Sequence, residues 1–280
     1  MIEQVVRFGP GGILVGVLTR PELAHGDAPA RDVAVLLSNT GTNHRVGPFR
    51  INVELARAFA RAGYATLRFD RSGLGDSAHR DAPGSDHAHA LLDTQDAIAL
   101  LEERCGIARV ALVALCSGVD VAHAITLVDA RVAGAAFIDG YAYPTRGFHT
   151  RHRWRVLDLA RVRRHFRRHR HRARHPEFFA APPTDASRIF TREIPSAEQF
   201  RADVRTMTTR GAQLLLVYTG GMGIHINAPE QVREMLGDAL DPARVGVAWM
   251  PEADHLFSRP TMRRALEQSL RRWLDRIDAS

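Results

Sequence analysis

A cysteine flanked by small residues stands where a short apolar run meets a helical pattern. The run at residues 110–115 is followed by Cys116, and apolar residues then recur at helical spacing over 119–128. This pattern predicts a strand, a sharp turn and a helix, with the thiol at the tip of the turn. Such a turn needs small side chains two residues before and after its tip, and Ala114 and Gly118 supply them.

The same spacing distinguishes the two possible nucleophiles of this turn. With Ser117 at the tip, the flanking residues would be Leu115 and Val119, which are too bulky. The pattern therefore favours the Cys116 thiol, which can accept an acyl group as a thioester. The alternative is a buried cysteine packed beneath a helix, since that is the commonest environment of a free cysteine.

Apolar runs and helical patterns alternate along most of the chain. A leading hairpin is predicted over residues 4–8 and 13–18, and a polar loop over 81–89. Further strands are predicted at 32–38, 65–69, 110–115, 132–138, 213–218 and 244–250, and helices at 51–62, 91–101 and 119–128. Strand, helix and strand repeated in this way predict a parallel sheet with right-handed crossovers.

The chain resembles enzymes of the α/β-hydrolase fold through about 200 residues that follow the expected order of elements. The segments that carry the resemblance are residues 39–48, residues 67–77, the turn at Cys116 and residues 253–255. The resemblance implies a mostly parallel central sheet flanked by helices, with a helical lid inserted over the active site. We expect residues 1–140 and 212–280 to form the core and residues 141–211 to form the lid.

The resemblance implies that His255 is the general base, because the family places this residue in the loop after the last strand. A histidine that hydrogen-bonds a thiol raises the fraction of thiolate, and the resulting imidazolium stabilises it. The alternative is a surface histidine beside Asp254. Asp254 would be a poor partner for the base, because the two residues are adjacent in sequence.

The acid departs from the common family pattern. The family usually carries Asp or Glu after the penultimate strand, but residues 219–225 of this chain contain no carboxylate. Asp139 is the better candidate, since it follows the strand after the Cys116 helix, where some members of the superfamily carry the acid. It would fix the tautomer of His255 and stabilise the imidazolium. A turn-capping role beside Gly140, and a Cys/His dyad without an acid, stay open.

Backbone donors are expected to complete the site. The resemblance implies an oxyanion hole formed by the N–H of Ser117 with an N–H from the loop that contains Gly41 and Thr42. We expect no metal and no cofactor. We also expect Asp70, Arg71 and Asp76 to stabilise a glycine-containing turn. Their predicted role is structural.

Residues 151–175 contain eleven Arg and five His against a single Asp. The pattern is compatible with a helix that has an apolar underside and a cationic top. The predicted contacts for an anionic partner such as phosphopantetheine, coenzyme A or an acidic carrier protein are Arg163, Arg164, Arg167 and Arg168. The alternative is a solvated arginine-rich helix. Nucleic acid is disfavoured, because aromatic residues are sparse and no binding motif is present.

Composition restricts the class of protein. The chain has 280 residues, 45% of them hydrophobic, which is ample for one large α/β domain. All 38 basic side chains are arginine, and the formal charge is +7. With two cysteines, no apolar run of membrane-spanning length and no signal-peptide pattern, we expect a cytoplasmic protein with a free thiol and no membrane contact.

Together these features predict an enzyme that forms an acyl-Cys116 intermediate. The leading hypothesis is release or transfer of an acyl chain from a phosphopantetheinylated carrier protein, by cyclisation, transfer or thioester hydrolysis. It follows from a narrower resemblance to cysteine-dependent Dieckmann cyclases and to acyl shuttles of natural-product assembly lines. The alternatives are a general ester, lactone or dienelactone-type hydrolase, and a non-catalytic binding module on a hydrolase scaffold.

Overall fold

A computed structural model describes residues 1–22, 31–156, 192 and 194–279, with residues 152–156 described as backbone only. The strands are β1 (Ile2–Phe8), β2 (Leu14–Arg20), β3 (Val33–Leu37), β4 (Thr66–Asp70), β5 (Arg109–Leu115), β6 (Val132–Ile138), β7 (Gln213–Thr219) and β8 (Val245–Met250). The α-helices are α1 (Ile51–Arg61), α2 (Asp86–Cys105), α3 (Gly118–Val128), α4 (Arg146–Val156), α5 (Ala197–Thr209), α6 (Glu230–Leu236) and α7 (Pro260–Asp278).

Within the described residues, eight strands form one sheet in the order β1-β2-β4-β3-β5-β6-β7-β8. The β1–β2 and β2–β4 pairs are antiparallel, and the remaining pairs are parallel. Strands β3, β4 and β7 are buried along their whole length, which explains the continuous apolar run of β3 and of the middle of β7. The carboxyl ends of β5, β6, β7 and β8 lie side by side, and the predicted catalytic residues follow three of these ends.

Helices cover both faces of the sheet. One hydrophobic core lies between the sheet and α1 and α7, and it contains Phe59 and Trp273. The other lies beneath α2, α3, α5 and α6, and it contains Ile98, Ile125 and Phe200. The predicted mostly parallel sheet flanked by helices is confirmed.

Two boundaries differ from those predicted from the sequence. Helix α2 begins at Asp86, inside the predicted polar loop, because the Ser85 hydroxyl accepts a hydrogen bond from the Ala88 N–H and caps the helix. Helix α5 lies within the predicted lid range of 141–211, yet it buries Val204 against the core and leads into β7. It therefore acts as the crossover helix before β7. The lid itself stays a prediction, since residues 157–191 lie outside the described part of the chain.

Candidate active site

Cys116 forms the sharp turn between β5 and α3. Its backbone φ is 56°, in the left-handed region, and this conformation costs a non-glycine residue about 1–3 kcal/mol. Its N–H donates to the Ile138 carbonyl at 2.9 Å, which ties the turn to β6. A Cβ at Gly118 would lie 2.5 Å from the carbonyl oxygen of Asn39, so a small residue is required there. Ser117 has a φ of −69° and does not form the tip.

His255 lies in the loop after β8 and connects the thiol to a carboxylate. Its Nδ1 is 2.8 Å from Asp139 Oδ2. The other ring nitrogen, Nε2, is not used by Asp139, and the imidazole lies close enough to the Cys116 thiol to lower the pKa of that thiol. The structure thus brings Cys116, His255 and Asp139 together, with the imidazole between the thiol and the carboxylate.

Two glycines after β7 make room for the histidine loop. A Cβ at Gly220 would lie 2.3 Å from the carbonyl oxygen of Pro251, and one at Gly221 would lie 2.8 Å from the Cβ of His255. Side chains at these positions would displace the base. The Gly-Gly pair that follows Thr219 is the sequence signal of this close approach.

Asp139 follows β6 and is only 1% exposed. Its Oδ1 accepts a hydrogen bond from the Thr219 N–H at 2.8 Å, and its Oδ2 accepts one from the Thr219 hydroxyl at 2.5 Å. Thr219 ends β7 and begins the segment 219–225, in which the resemblance leads us to expect an acid. Here that position orients the carboxylate supplied by the neighbouring strand, a role that sequence analysis did not assign.

Asp254, the residue beside the base, has a separate function. Its carboxylate accepts hydrogen bonds from the Ser258 N–H at 3.2 Å, the Ser258 hydroxyl at 2.6 Å and the Leu256 N–H at 3.0 Å. These bonds hold its pKa below the usual range. Asp254 therefore stabilises its own loop, in agreement with its rejection as the partner of His255.

The electrostatics favour a thiolate–imidazolium pair. Burial alone raises the pKa of the Cys116 thiol, but the hydrogen bond and charge of His255 and the charge of Arg192 outweigh it, so the pKa is lowered. Hydrogen bonds with Asp139 and Cys116 raise the pKa of His255 to about 10. Each partner therefore stabilises the charged form of the other.

The predicted oxyanion residues lie around the turn that Cys116 and Ser117 form. The backbone N–H of Ser117 points to Cys116 and contributes to its lowered pKa. The Gly41 N–H donates to the Ser117 hydroxyl at 2.8 Å, so this amide already has an acceptor in the present arrangement. Thr42 lies in the wall of the adjoining cavity. A role for Gly41 toward an oxyanion requires the Ser117 hydroxyl to turn away.

Arg192 contacts the turn at Cys116 through its guanidinium. Its Nε and Nη2 donate to the two carboxylate oxygens of Asp120 at 3.0 and 2.7 Å. Nη2 also lies 3.3 Å from the carbonyl oxygen of Cys116, and the guanidinium lies over the Tyr141 ring at 5.8 Å from its centroid. Sequence analysis did not identify this residue, because 76 residues separate it from Cys116.

A cavity of about 400 Å³ opens beside the turn. Ser117, Thr42 and Asp120 border it on the side of the nucleophile, and Arg71 lies in its wall. The loop after β4 and the start of α2 complete it. The cavity is large enough to take part of a small substrate next to Ser117, the residue after the nucleophile, whereas Cys116 and His255 do not line it.

Two other sets of residues bear on ligand binding. Arg163, Arg164, Arg167 and Arg168 lie outside the described residues, so their predicted contacts with an anionic partner stay predictions. His44, Asp70 and Asp76 bring one ligand atom each within 4.8 Å of one another. The Arg45 guanidinium pairs with both carboxylates, however, and occupies the position that a metal cation would need. Through these ion pairs, Asp70 and Asp76 stabilise the turn after β4, which is the role predicted for them.

Comparison with known proteins shows the fold. No protein-family model matches the chain, and no curated protein matches it in sequence. An esterase from Pyrococcus furiosus is similar with a TM-score of 0.63 and 15% identity, over 98% of this chain and 90% of that one. A proline iminopeptidase from Mycobacterium smegmatis gives 0.58 and 15%, over 98% and 99%. An alpha-beta serine hydrolase homologue from Coxiella burnetii gives 0.54 and 16%, over 96% and 97%. The chain therefore has the α/β-hydrolase fold, as predicted. Among the described residues, no helix is long and apolar enough to cross a membrane.

Proposed function

We propose that this protein is a cysteine-dependent acyl hydrolase that cleaves an ester or thioester through an acyl-Cys116 intermediate. The observation that carries the proposal is the placement of His255 between the Cys116 thiol and buried Asp139, at the carboxyl ends of β5, β6 and β8 in one sheet. The fold is shared with an esterase and with other hydrolases, which supports hydrolysis as the reaction class. A binding module would gain nothing from a thiol whose pKa is lowered in this way.

Acylation begins with the Cys116 thiolate attacking the substrate carbonyl carbon. The carbonyl electrons move onto oxygen, where the Ser117 N–H can stabilise the negative charge. As the intermediate collapses, the bond to the leaving group breaks, and His255 Nε2 gives its proton to that group. The products are an acyl-thioester on Cys116, neutral His255 and a free alcohol or thiol.

Deacylation uses the change of charge produced by the first step. The thiolate that helps to raise the pKa of His255 is gone once Cys116 is acylated, so the pKa of the imidazole falls. Neutral His255 can then take a proton from water as the oxygen attacks the thioester carbonyl. The carbon–sulfur bond breaks, the thiolate returns, and Asp139 stabilises the regenerated imidazolium.

The finer prediction, a carrier-protein acyl chain released by cyclisation or transfer, uses the same thioester. It depends on the arginine-rich segment at residues 151–175, most of which lies outside the described residues. The fate of the acyl group separates these reactions: a free acid indicates hydrolysis, a new ester or thioester indicates transfer, and a ring with loss of the thiol indicates cyclisation.

Intact-protein mass spectrometry tests the proposal. The wild type, Cys105→Ala and Cys116→Ala are each mixed with acetyl and longer acyl thioesters of N-acetylcysteamine and with p-nitrophenyl esters. We expect an acyl mass gain, mapped to residue 116, in the wild type and in Cys105→Ala but not in Cys116→Ala. Turnover of either substrate class by Cys116→Ala at the wild-type rate would overturn the proposal, and the released product identifies the reaction.

A further inference from the structure

The loop after β4 carries an arginine that lacks a described carboxylate partner. The sequence predicts a structural role for Arg71 together with Asp70 and Asp76, but in the structure Arg45 forms the ion pairs with those two carboxylates. Within the described ranges, no carboxylate oxygen lies within ion-pair distance of Arg71. Its Nη2 donates to the Gly41 carbonyl at 3.0 Å, and its Nε is buried without a hydrogen-bond acceptor.

Burial lowers the pKa of Arg71, because the protein only partly compensates its charge. Three carboxylates contribute at longer range, but two are occupied by other cations. Arg80 pairs with Asp93 at 2.6 Å, and Arg192 pairs with Asp120 at 2.7 Å. The third, Asp86, is exposed at the start of α2, where water screens its charge.

Arg71 is also linked, through Gly41, to the residue that follows the nucleophile. It holds the Gly41 carbonyl, and the Gly41 N–H in turn donates to the hydroxyl of Ser117, the residue after the nucleophile. Arg71 and Ser117 line the same cavity of about 400 Å³. A group bound to the guanidinium would therefore lie in the cavity that Ser117, the residue after Cys116, borders.

We propose that Arg71 anchors an anionic group of the substrate, a carboxylate or a phosphate, in the cavity beside Cys116. This proposal rests on the proposed function for the reaction at the thiol, but anion binding itself does not require acyl transfer. An arginine presents several N–H donors in a plane, which suits the oxygens of either anion. The negative charge of the bound group would balance the positive charge of Arg71, which the described carboxylates offset only in part.

Substrate preference is the first test. p-Nitrophenyl hydrogen glutarate is compared with its neutral methyl ester, and the ratio of their kcat/KM values is measured. We expect the wild type to favour the anion, and Arg71→Gln to lower the ratio by about 10- to 100-fold. Gln keeps a donor for the Gly41 carbonyl, whereas Arg71→Lys keeps the charge and should retain part of the preference. Arg61→Gln, at the exposed end of α1, is the matched control.

Binding without chemistry is the second test. Cys116→Ala, with and without Arg71→Gln, is titrated calorimetrically with glutarate and with inorganic phosphate, after circular dichroism shows that both proteins are folded. We expect Arg71→Gln to weaken the binding of at least one anion by about tenfold or more, and the tighter of the two identifies the group recognised. Equal binding by the two variants, or no binding of either anion to Cys116→Ala, would overturn the proposal.

The two proposals can fail separately. Anion binding that depends on Arg71, in a protein that never acylates Cys116, would remove the proposed function and retain this site. Acylation of Cys116 with the same substrate ratio in the wild type and in Arg71→Gln would retain the function and remove the site.

Discussion

The two cysteines of this chain show how one residue type acquires different chemistry in two regions of the fold. Cys105 ends α2 and packs at the margin of a hydrophobic core, where burial raises the pKa of its thiol. Cys116 is also partly buried, but it lies in the turn after β5 against His255, and its pKa is lowered. Burial alone therefore makes a thiol less reactive, and a cationic hydrogen-bond partner reverses the effect.

Alanine substitution of each cysteine should give the largest difference in activity between the two regions. Cys116→Ala is expected to lower kcat/KM for the best ester or thioester by about 10³-fold or more, because the covalent route is lost. Cys105→Ala should change it by less than about twofold, since Cys105 lies outside the site. Steady-state kinetics on both variants gives the result. Equal losses in the two variants would show that the thiol at the turn has no special role.

The next largest effect is expected from the carboxylate that orients His255. Asp139→Asn should lower kcat/KM by about 10²- to 10⁴-fold, because an amide favours the wrong tautomer of the imidazole. The matched control is Asp254→Asn, which removes a half-buried carboxylate beside the same histidine and should change the rate only a few-fold. Full activity of Asp139→Asn would favour the Cys/His dyad without an acid.

The pH dependence of the reaction rate tests the pKa shifts of Cys116 and His255. The thiolate of Cys116 forms as the pH rises through a value below that of an ordinary thiol, and His255 keeps its proton until the pH reaches about 10. The rate with an alkyl ester, whose leaving group needs that proton, should therefore rise at the lower value, level off, and fall near pH 10. Cys105→Ala should give the same profile. A rate that keeps rising above pH 10 would contradict the role of His255 as the acid.

The same pKa shifts affect folding stability. A histidine whose pKa is raised in the folded state contributes stability that is fully present below its unfolded value, about 6.5. That contribution should be lost as the pH rises through about 10. The lowered pKa of Cys116 acts in the opposite direction, so its contribution is lost as the pH falls through the folded value. Denaturant unfolding of the wild type and of His255→Gln across this range measures the difference.

The smallest expected effect concerns Arg192, which contacts the turn at Cys116. Arg192→Met removes a positive charge that lowers the pKa of Cys116 and leaves Asp120 unpaired. Alkylation of Cys116 at a fixed pH near neutrality should slow by about three- to tenfold. Cys105 in the same protein is the internal control, and its rate should not change. Equal rates at Cys116 in the variant and the wild type would remove Arg192 from the account.

Features set by interactions between residues close in sequence could be predicted, whereas features set by contacts between distant residues could not. Cys116, His255 and Asp139 could be located because each directly follows a strand or lies in the loop after one, and strand ends can be recognised from apolar periodicity. The small residues around Cys116 could be recognised because the sharp turn leaves no room for larger side chains beside it. The orienting role of Thr219 was missed, because it depends on a side chain 80 residues away across the sheet.

The other features that the sequence did not predict also depend on contacts made in the folded chain. The start of α2 was misplaced because one capping hydroxyl, that of Ser85, outweighed a polar stretch that reads as a loop. The charge balance around Arg71 could not be predicted, because it depends on which cations occupy Asp93 and Asp120 in the folded chain. Helix α5 was assigned to the lid because composition does not show which surface an amphipathic helix covers.

The most direct test of the central claim is to titrate both thiols in one sample. The native protein is alkylated briefly with iodoacetamide at a series of pH values, and peptide mass spectrometry gives the rate at residues 105 and 116 separately. We predict that Cys116 reacts at a pH below that of an ordinary thiol, that Cys105 reacts only at a higher pH, and that His255→Gln removes the difference. Identical pH profiles for the two cysteines in the wild type would contradict the account.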